Sequence, residues 1–183
     1  MPLYLSCASN RVITLPELLA SRDARQARQQ QWQKKYPASL ISFTTVAPGP
    51  VKDSELSRRI FNHGIRSLRR MLAASGWEII NQNCYGLATG AEGLLAVDAP
   101  ALALKRACIT LEQHHPLGRL WDIDIFTPQG ELLSRQALAQ PVRHCLLCER
   151  DARICARERT HSATELLNDM ERRLHDAENA QQR

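Results

Sequence analysis

Two aspartates one residue apart close the stretch His115-Pro116-Leu117-Gly118-Arg119-Leu120-Trp121-Asp122-Ile123-Asp124. Side chains alternate along a strand, so Asp122 and Asp124 share one face while Trp121, Ile123 and Ile125 take the other. Carboxylates that close repel one another, and strands disfavour Asp. A divalent cation resolves the conflict. Mg2+ takes one or two carboxylates and completes its shell with phosphate oxygens of a substrate. An ion so placed neutralises a polyphosphate and steadies a departing pyrophosphate. Gly118 permits close backbone approach just upstream, and Arg119 offers a fork of donors to phosphate oxygens. A solvated edge strand shows the same alternation, so the pair alone does not decide. The Gly-Arg step and the apolar opposite face weigh toward metal chemistry. His115 is a candidate base or phosphate donor through its nearness to the pair.

A second constellation is Cys145-x2-Cys148-x6-Cys155-x5-His161. Three thiols and an imidazole are the ligand types of a tetrahedral structural Zn2+ site, although the spacing follows no standard finger. Glu149 to Arg159 is polar and Arg-rich, and such a stretch folds only with a staple, which zinc would supply. His144 competes as a ligand, and a redox CxxC pair or buried cysteines remain the alternatives. Cys7, Cys84 and Cys108 read as core or surface residues.

Two further sets could meet phosphate. Lys52 follows the rigid turn Pro48-Gly49-Pro50, where a strand gives way to a helix, and could reach an anion with the helix-terminal amides. The segment is no Walker loop, and a plain turn with an exposed Lys is the simpler account. Arg22, Arg25 and Arg28 recur every third residue and share a helix face. Arg22 and Arg25 could receive phosphates, but a solvated face is the commoner reason for such a row.

The elements that position these residues follow from periodicity. Thr14-Leu15-Pro16-Glu17 predicts a capped helix start. Residues 40–46 predict a strand, and a helix opens near Asp53 or Ser54, carrying Leu56, Ile60, Ile65, Leu68 and Leu72 inward. Two strands follow, at 77–88 and 94–97, with a turn over 89–93 between them. A helix begins at Asp98 to Pro100, and a strand spans 120–126. Ser162 with Glu165 opens a last helix, and Asp176 to Arg183 reads as a frayed end. The order implies an α+β fold: a mixed or antiparallel sheet of about four strands packed by helices, with split βαβ connections. The Cys/His-rich segment follows and ends in a helix. We expect a transferase core over 1–140 and that segment over 141–183 as part of the same domain.

The 183 residues suffice for a proper core, with 44% hydrophobic and 23% charged residues. No apolar run reaches the roughly 20 residues that span a bilayer. Met1 to Asn10 lacks the basic lead and apolar stretch of a secretory signal, so we expect a cytoplasmic protein with reduced cysteines. The net charge of +5 is compatible with nucleic acid, a phosphate-rich small molecule, an acidic partner or mere solubility.

Four stretches carry a family resemblance: residues 16–29, residues 48–55 with 58–64, residues 115–124, and the Arg143-x-Cys145 to Cys148 segment with Cys155-Ala156-Arg157 and His161. Together they resemble the apo-citrate lyase phosphoribosyl-dephospho-CoA transferases, also called citrate lyase holo-acyl-carrier-protein synthases. The resemblance spans about residues 11 to 174. It implies transfer of a phosphoribosyl-dephospho-CoA group from triphosphoribosyl-dephospho-CoA to a serine of the citrate lyase acyl carrier (gamma) subunit, with release of pyrophosphate. Asp122 and Asp124 would then hold Mg2+, and Arg119 and Lys52 would stabilise charge on the leaving group. Likeness to nucleotidyl transferases implies a further carboxylate, for which Glu112, Asp98 and Glu131 are candidates. The related transferase of malonate decarboxylase and a non-catalytic zinc-containing nucleic-acid-binding module are the alternatives. Few aromatics (5%) and no reader motif weigh against the latter.

Overall fold

The computed structural model describes residues 5–181. The chain forms two compact units, Met1–Leu133 and Ser134–Arg183. The first unit holds, in order, α1 (Leu15–Lys35), β1 (Ser39–Thr45), α2 (Glu55–Ala74), β2 (Glu78–Leu87), β3 (Gly90–Asp98), α3 (Ala101–His114) and β4 (Trp121–Phe126), with a 3-10 turn at Gly118–Leu120. The second holds α4 (Ala152–Glu158) and α5 (Ala163–Gln181) after a 3-10 turn at Gln136–Leu138.

The sheet is antiparallel throughout, in the order β2-β3-β1-β4. β1 and β2 are therefore parallel with β3 between them, and β3 and β4 are parallel with β1 between them. These are the two split βαβ units of a ferredoxin-like sandwich, joined by α2 and α3.

One face of the sheet is apolar because β1, β3 and β4 alternate in phase. Ile41 pairs with Leu95 and Ile125, and Phe43 pairs with Gly93 and Ile123. Ile60, Phe61, Ile65, Leu68 and Leu72 of α2, spaced at helical intervals, are all buried. Gly64 lets the helix come down on the sheet, since a Cβ there would lie 2.2 Å from Phe43 Cζ. Trp121 is fully buried and donates from Nε1 to the Ile60 carbonyl at 3.1 Å. Cys108 of α3 joins this core, and burial pushes its thiol up to about 12.

The helix starts were well marked. Thr14 caps α1 in a box with Glu17, whose carboxyl is lowered to about 2, chiefly by the Thr14 amide. Ser54 caps α2 in a second box, with Ser57. The structure corrects several boundaries. Residues 90–93 are strand rather than turn, and only Ala88 and Thr89 separate β2 from β3. Leu120 belongs to the 3-10 turn, and β4 begins at Trp121. α5 continues to Gln181 where fraying was expected from Asp176. Residues 1–4 and 182–183, which entered the readings of the two termini, lie outside the described residues.

Candidate functional site

The opposite face of the sheet is mixed, with buried Leu40, Leu94 and Ala96 set among polar side chains. Asp122 pairs with Thr44 and Asp124 with Ser42 across the β1–β4 ladder, so all four side chains point away from the apolar core. Asp122 is exposed and Asp124 half-buried. Glu92, adjacent to the Gly93 that pairs with Phe43, takes the same face from β3. Tyr85 takes it from β2, opposite Glu92.

Helix α1 lies over this face and meets it with polar groups. Arg25 Nε donates to Glu92 Oε1 at 2.9 Å, and Arg28 Nη2 donates to Glu92 Oε2 at 2.5 Å. The Arg28 guanidinium lies 5.2 Å from the centre of the Tyr85 ring. Gln29 Nε2 donates to Ser42 Oγ at 2.8 Å, and the Ser21 and Thr89 hydroxyls are 2.8 Å apart. The arginine row is thus only in part a solvated face. Arg25 and Arg28 are half-buried and committed to Glu92, while Arg22 is exposed.

Lys52 stands at the Thr45 end of β1. Its Nζ donates to the Ala47 carbonyl at 2.6 Å. Burial and then the charge of Arg22 lower its pKa, so two cations are neighbours here. The loop that carries Lys52 is fixed from both sides. The Ile13 amide donates to the Pro50 carbonyl and the Asn10 amide to the Asp53 carbonyl, each at 2.9 Å. Asp53 is fully buried and bonded to Arg58 at 2.5 and 2.9 Å. Burial works against its ionisation, but Arg58 and the Ser9 amide outweigh it and hold the pKa below the usual carboxylate value. Arg119 enters the same end of the sheet by its backbone, since the neighbouring Leu120 carbonyl accepts from Val46 at 2.9 Å.

Asp122 and Asp124 therefore lie on this face, and Lys52 and Arg22 stand beside its Thr45 end. His115 and Gly118 do not. The His115 ring packs on Trp121, with centroids 4.4 Å apart, on the apolar side of β4. Its Nδ1 accepts from the Leu117 amide at 3.0 Å, which leaves Nε2 to donate to Ser67 Oγ at 3.2 Å. Burial, then His63 and Arg70, lower its pKa to about 4. Gly118 serves packing, because a Cβ would lie 2.3 Å from the Glu112 carbonyl oxygen.

The further-carboxylate candidates also lie elsewhere. Glu112 is buried, and its Oε1 accepts from the Ile123 amide at 3.2 Å, at the outer edge of β4. Asp98 sits beyond Val97, which pairs with Ser39, at the far end of β1 from Thr44. Glu131 follows β4 past Phe126, which pairs with Leu40 at that same far end. Glu92 was missed. An acid between Gly90 and Gly93 reads as a turn residue, and its partners lie 64 and 67 positions away. Only the alternation from Leu95 backward could have placed it in a strand.

In the second unit Cys145, Cys148, Cys155 and His161 bring their ligand atoms within 4.8 Å of one another. Cys148 and Cys155 sulphurs are 3.9 Å apart, and His161 Nε2 is 3.3 Å from Cys148 Sγ. Thiolates held tetrahedrally at Zn–S distances of ~2.3 Å would be roughly 3.8 Å apart. An antiparallel bridge between His144 and Asp151 closes the knuckle, and α4 supplies Cys155. His144 lies outside the cluster and turns its Nδ1 to the Glu149 carbonyl at 2.6 Å. The cluster can hold a metal ion.

Carboxylates on one sheet face with cations beside it are equipment of enzymes that move phosphate-bearing groups, which points to a transferase. A model of the family described as apo-citrate lyase phosphoribosyl-dephospho-CoA transferase matches residues 13–177. Relatives of that name from Shigella boydii serotype 18 and Escherichia coli O157:H7 are 55% identical over 178 residues, covering 97% of each chain. An Escherichia coli K12 protein, named as a probable enzyme of this kind, matches equally. The chain belongs to the apo-citrate lyase phosphoribosyl-dephospho-CoA transferase family, and it is an enzyme of the transferase class. The matches favour neither alternative considered from the sequence.

Proposed function

We propose that this chain attaches the phosphoribosyl-dephospho-CoA prosthetic group to a serine of the apo-citrate lyase acyl carrier subunit, taking it from triphosphoribosyl-dephospho-CoA. The observation that carries the reading is the 55% identity, sustained over 97% of both chains. The serine oxygen bonds to the α-phosphorus, the bond from that phosphorus to the bridging oxygen breaks, and pyrophosphate leaves with the electron pair. The serine proton is lost as the phosphodiester forms.

Asp122 and Asp124 supply an all-oxygen donor set on one strand face, which suits a hard cation such as Mg2+. Bound there, the ion would neutralise charge on the triphosphate. Arg22 and Lys52 bind the terminal phosphates, and Arg119 helps hold the group in line for attack. A nucleotidyltransferase-type reaction would use these residues in those roles. The Cys145, Cys148, Cys155 and His161 set is soft and borderline in character and suits structural Zn2+. No helix among the described residues is long and apolar enough to cross a membrane.

The test is mass spectrometry of the carrier subunit after incubation with the protein, Mg2+ and triphosphoribosyl-dephospho-CoA. A mass gain equal to phosphoribosyl-dephospho-CoA, with pyrophosphate released, is expected. An unmodified carrier beside intact donor and folded protein would reject the reading.

A further inference from the structure

Leu40, Leu94 and Ala96 are buried on the sheet face beneath α1, and charge sets how the helix lies over them. No residue of α1 is buried, yet Glu92 beneath it is only 3% exposed. A carboxylate at that depth is tolerated when both oxygens are met by charged donors. Arg25 and Arg28 meet one oxygen each, at 2.9 and 2.5 Å. They lie on successive turns of one helix, so both bonds form only at one pitch and height of α1 over β3. The hydrogen bond between Ser21 and Thr89 fixes the preceding turn. Gly90, the residue after Thr89, lies against Lys52, whose Cβ is 4.0 Å from where a Gly90 Cβ would stand. Arg22 follows Ser21 directly in this turn, and its charge reaches Lys52.

We propose that Glu92 is a positioning residue. By gripping Arg25 and Arg28 it fixes α1 so that Arg22 and Lys52 form a two-cation seat for the diphosphate end of a polyphosphate donor. This deepens, and rests on, the reading of the chain as a transferase that releases pyrophosphate. Glu92 touches no substrate and acts only through the helix above it. The two cations repel each other when nothing sits between them, and a bound diphosphate relieves that repulsion.

The experiment is calorimetric titration of inorganic pyrophosphate into the wild type, Glu92→Gln, Arg22→Ala and the double variant. Each single variant is expected to bind roughly tenfold more weakly, as loss of one charge-assisted contact implies. The double variant should bind no more weakly than Arg22→Ala alone, because the two act through one seat. Glu92→Asp, which keeps the charge, should recover part of the affinity. In the transfer assay Glu92→Gln should raise KM for the donor by the same factor with little change in kcat. Unchanged pyrophosphate affinity in Glu92→Gln, or losses that add in full, would overturn the proposal. Should Glu92→Gln fail to fold, Arg25→Gln replaces it. A loss absent in the Arg22→Ala background supports the seat, and an additive one overturns it. A coupled loss of pyrophosphate binding in a protein that leaves the carrier unmodified rejects the transfer reading and upholds the seat. Carrier modification with additive losses rejects the seat alone.

Discussion

At the scale of single residues, environment separates groups that look equivalent in the chain. His115 and Asp122 are seven positions apart, yet one stacks on the apolar core and the other faces water. A histidine lowered to about 4 by burial and by positive neighbours is neutral at pH 7. Its unfolded value lies near 6.5, so between pH 6.5 and 4 the unfolded chain binds the proton that the folded chain refuses. The stability it contributes is complete above pH 6.5 and falls as the pH drops toward 4. We expect urea midpoints at pH 7 and pH 5 to differ more for the wild type than for His115→Gln. After discounting for partial exposure, the difference should correspond to about 1 kcal/mol. Transfer at pH 7 should survive in that variant. Asp124→Asn should do the reverse, keeping the thermal midpoint; if the pair holds the proposed ion, transfer should fall by roughly a hundredfold or more, since even outer-shell changes at metal sites cost 10- to 100-fold. Transfer at wild-type rate in Asp124→Asn would remove the pair from the mechanism.

At the scale of elements, β4 is an edge strand, and its outward backbone needs cover. Lys105 Nζ donates to the Ile123 carbonyl at 3.1 Å, while Glu112 accepts from the Ile123 amide. α3 thus closes the edge with two buried charges, opposite the ladder that aligns Asp122 and Asp124. Lys105→Met should lower stability by about 2 kcal/mol, as loss of a hydrogen bond from a charged group does. The measurement is the denaturant midpoint, with the slope unchanged. Gly64→Ala should cost about 3 kcal/mol by overpacking, because its new methyl would overlap the Phe43 ring. Elements with a strong period of their own were legible in the sequence. The α2 stripe from Ile60 to Leu72, β1 and the Asp122–Asp124 alternation emerge where expected, whereas Leu56, expected inward, is only half-buried. β3 was shortened because small residues and an acid resemble a turn, whereas Gly93 is in the sheet to admit Ile65 and Phe61. α1 misled for a related reason. It turns Ser21, Arg25, Arg28 and Gln29 to Thr89, Glu92 and Ser42, and no amphipathic pattern announces such polar contacts. The Asp pair was visible as spacing, but the Arg25–Glu92–Arg28 grip was not, since long-range pairing of charges leaves no local period.

At the scale of the whole molecule, the two units are stabilised by different means. The first rests on more than twenty buried apolar side chains, most of them on the α2 side of the sheet. In the second, the buried apolar residues among those described are Cys155, Met170, Leu174 and Ala177, and three of these belong to α5. The chain from Ser134 to Ser162 carries one helix of 7 residues and no strand. Segments with so little apolar burial need a staple, and four convergent ligands spanning Cys145 to His161 supply one if they hold a metal. Removing a structural metal removes the folding energy it contributes, locally at first. A strong chelator should therefore release zinc at one equivalent per chain and deprotect the amides of residues 145–161 to hydrogen exchange. The amides of β1 and β3, sealed within the first unit's sheet, should keep their protection. Cys148→Ser should purify with less than a tenth of an equivalent of zinc, because a three-ligand remnant binds far more weakly than the full set. A protein that carries no metal as purified, and whose exchange in 145–161 ignores the chelator, would leave these four side chains as packing alone.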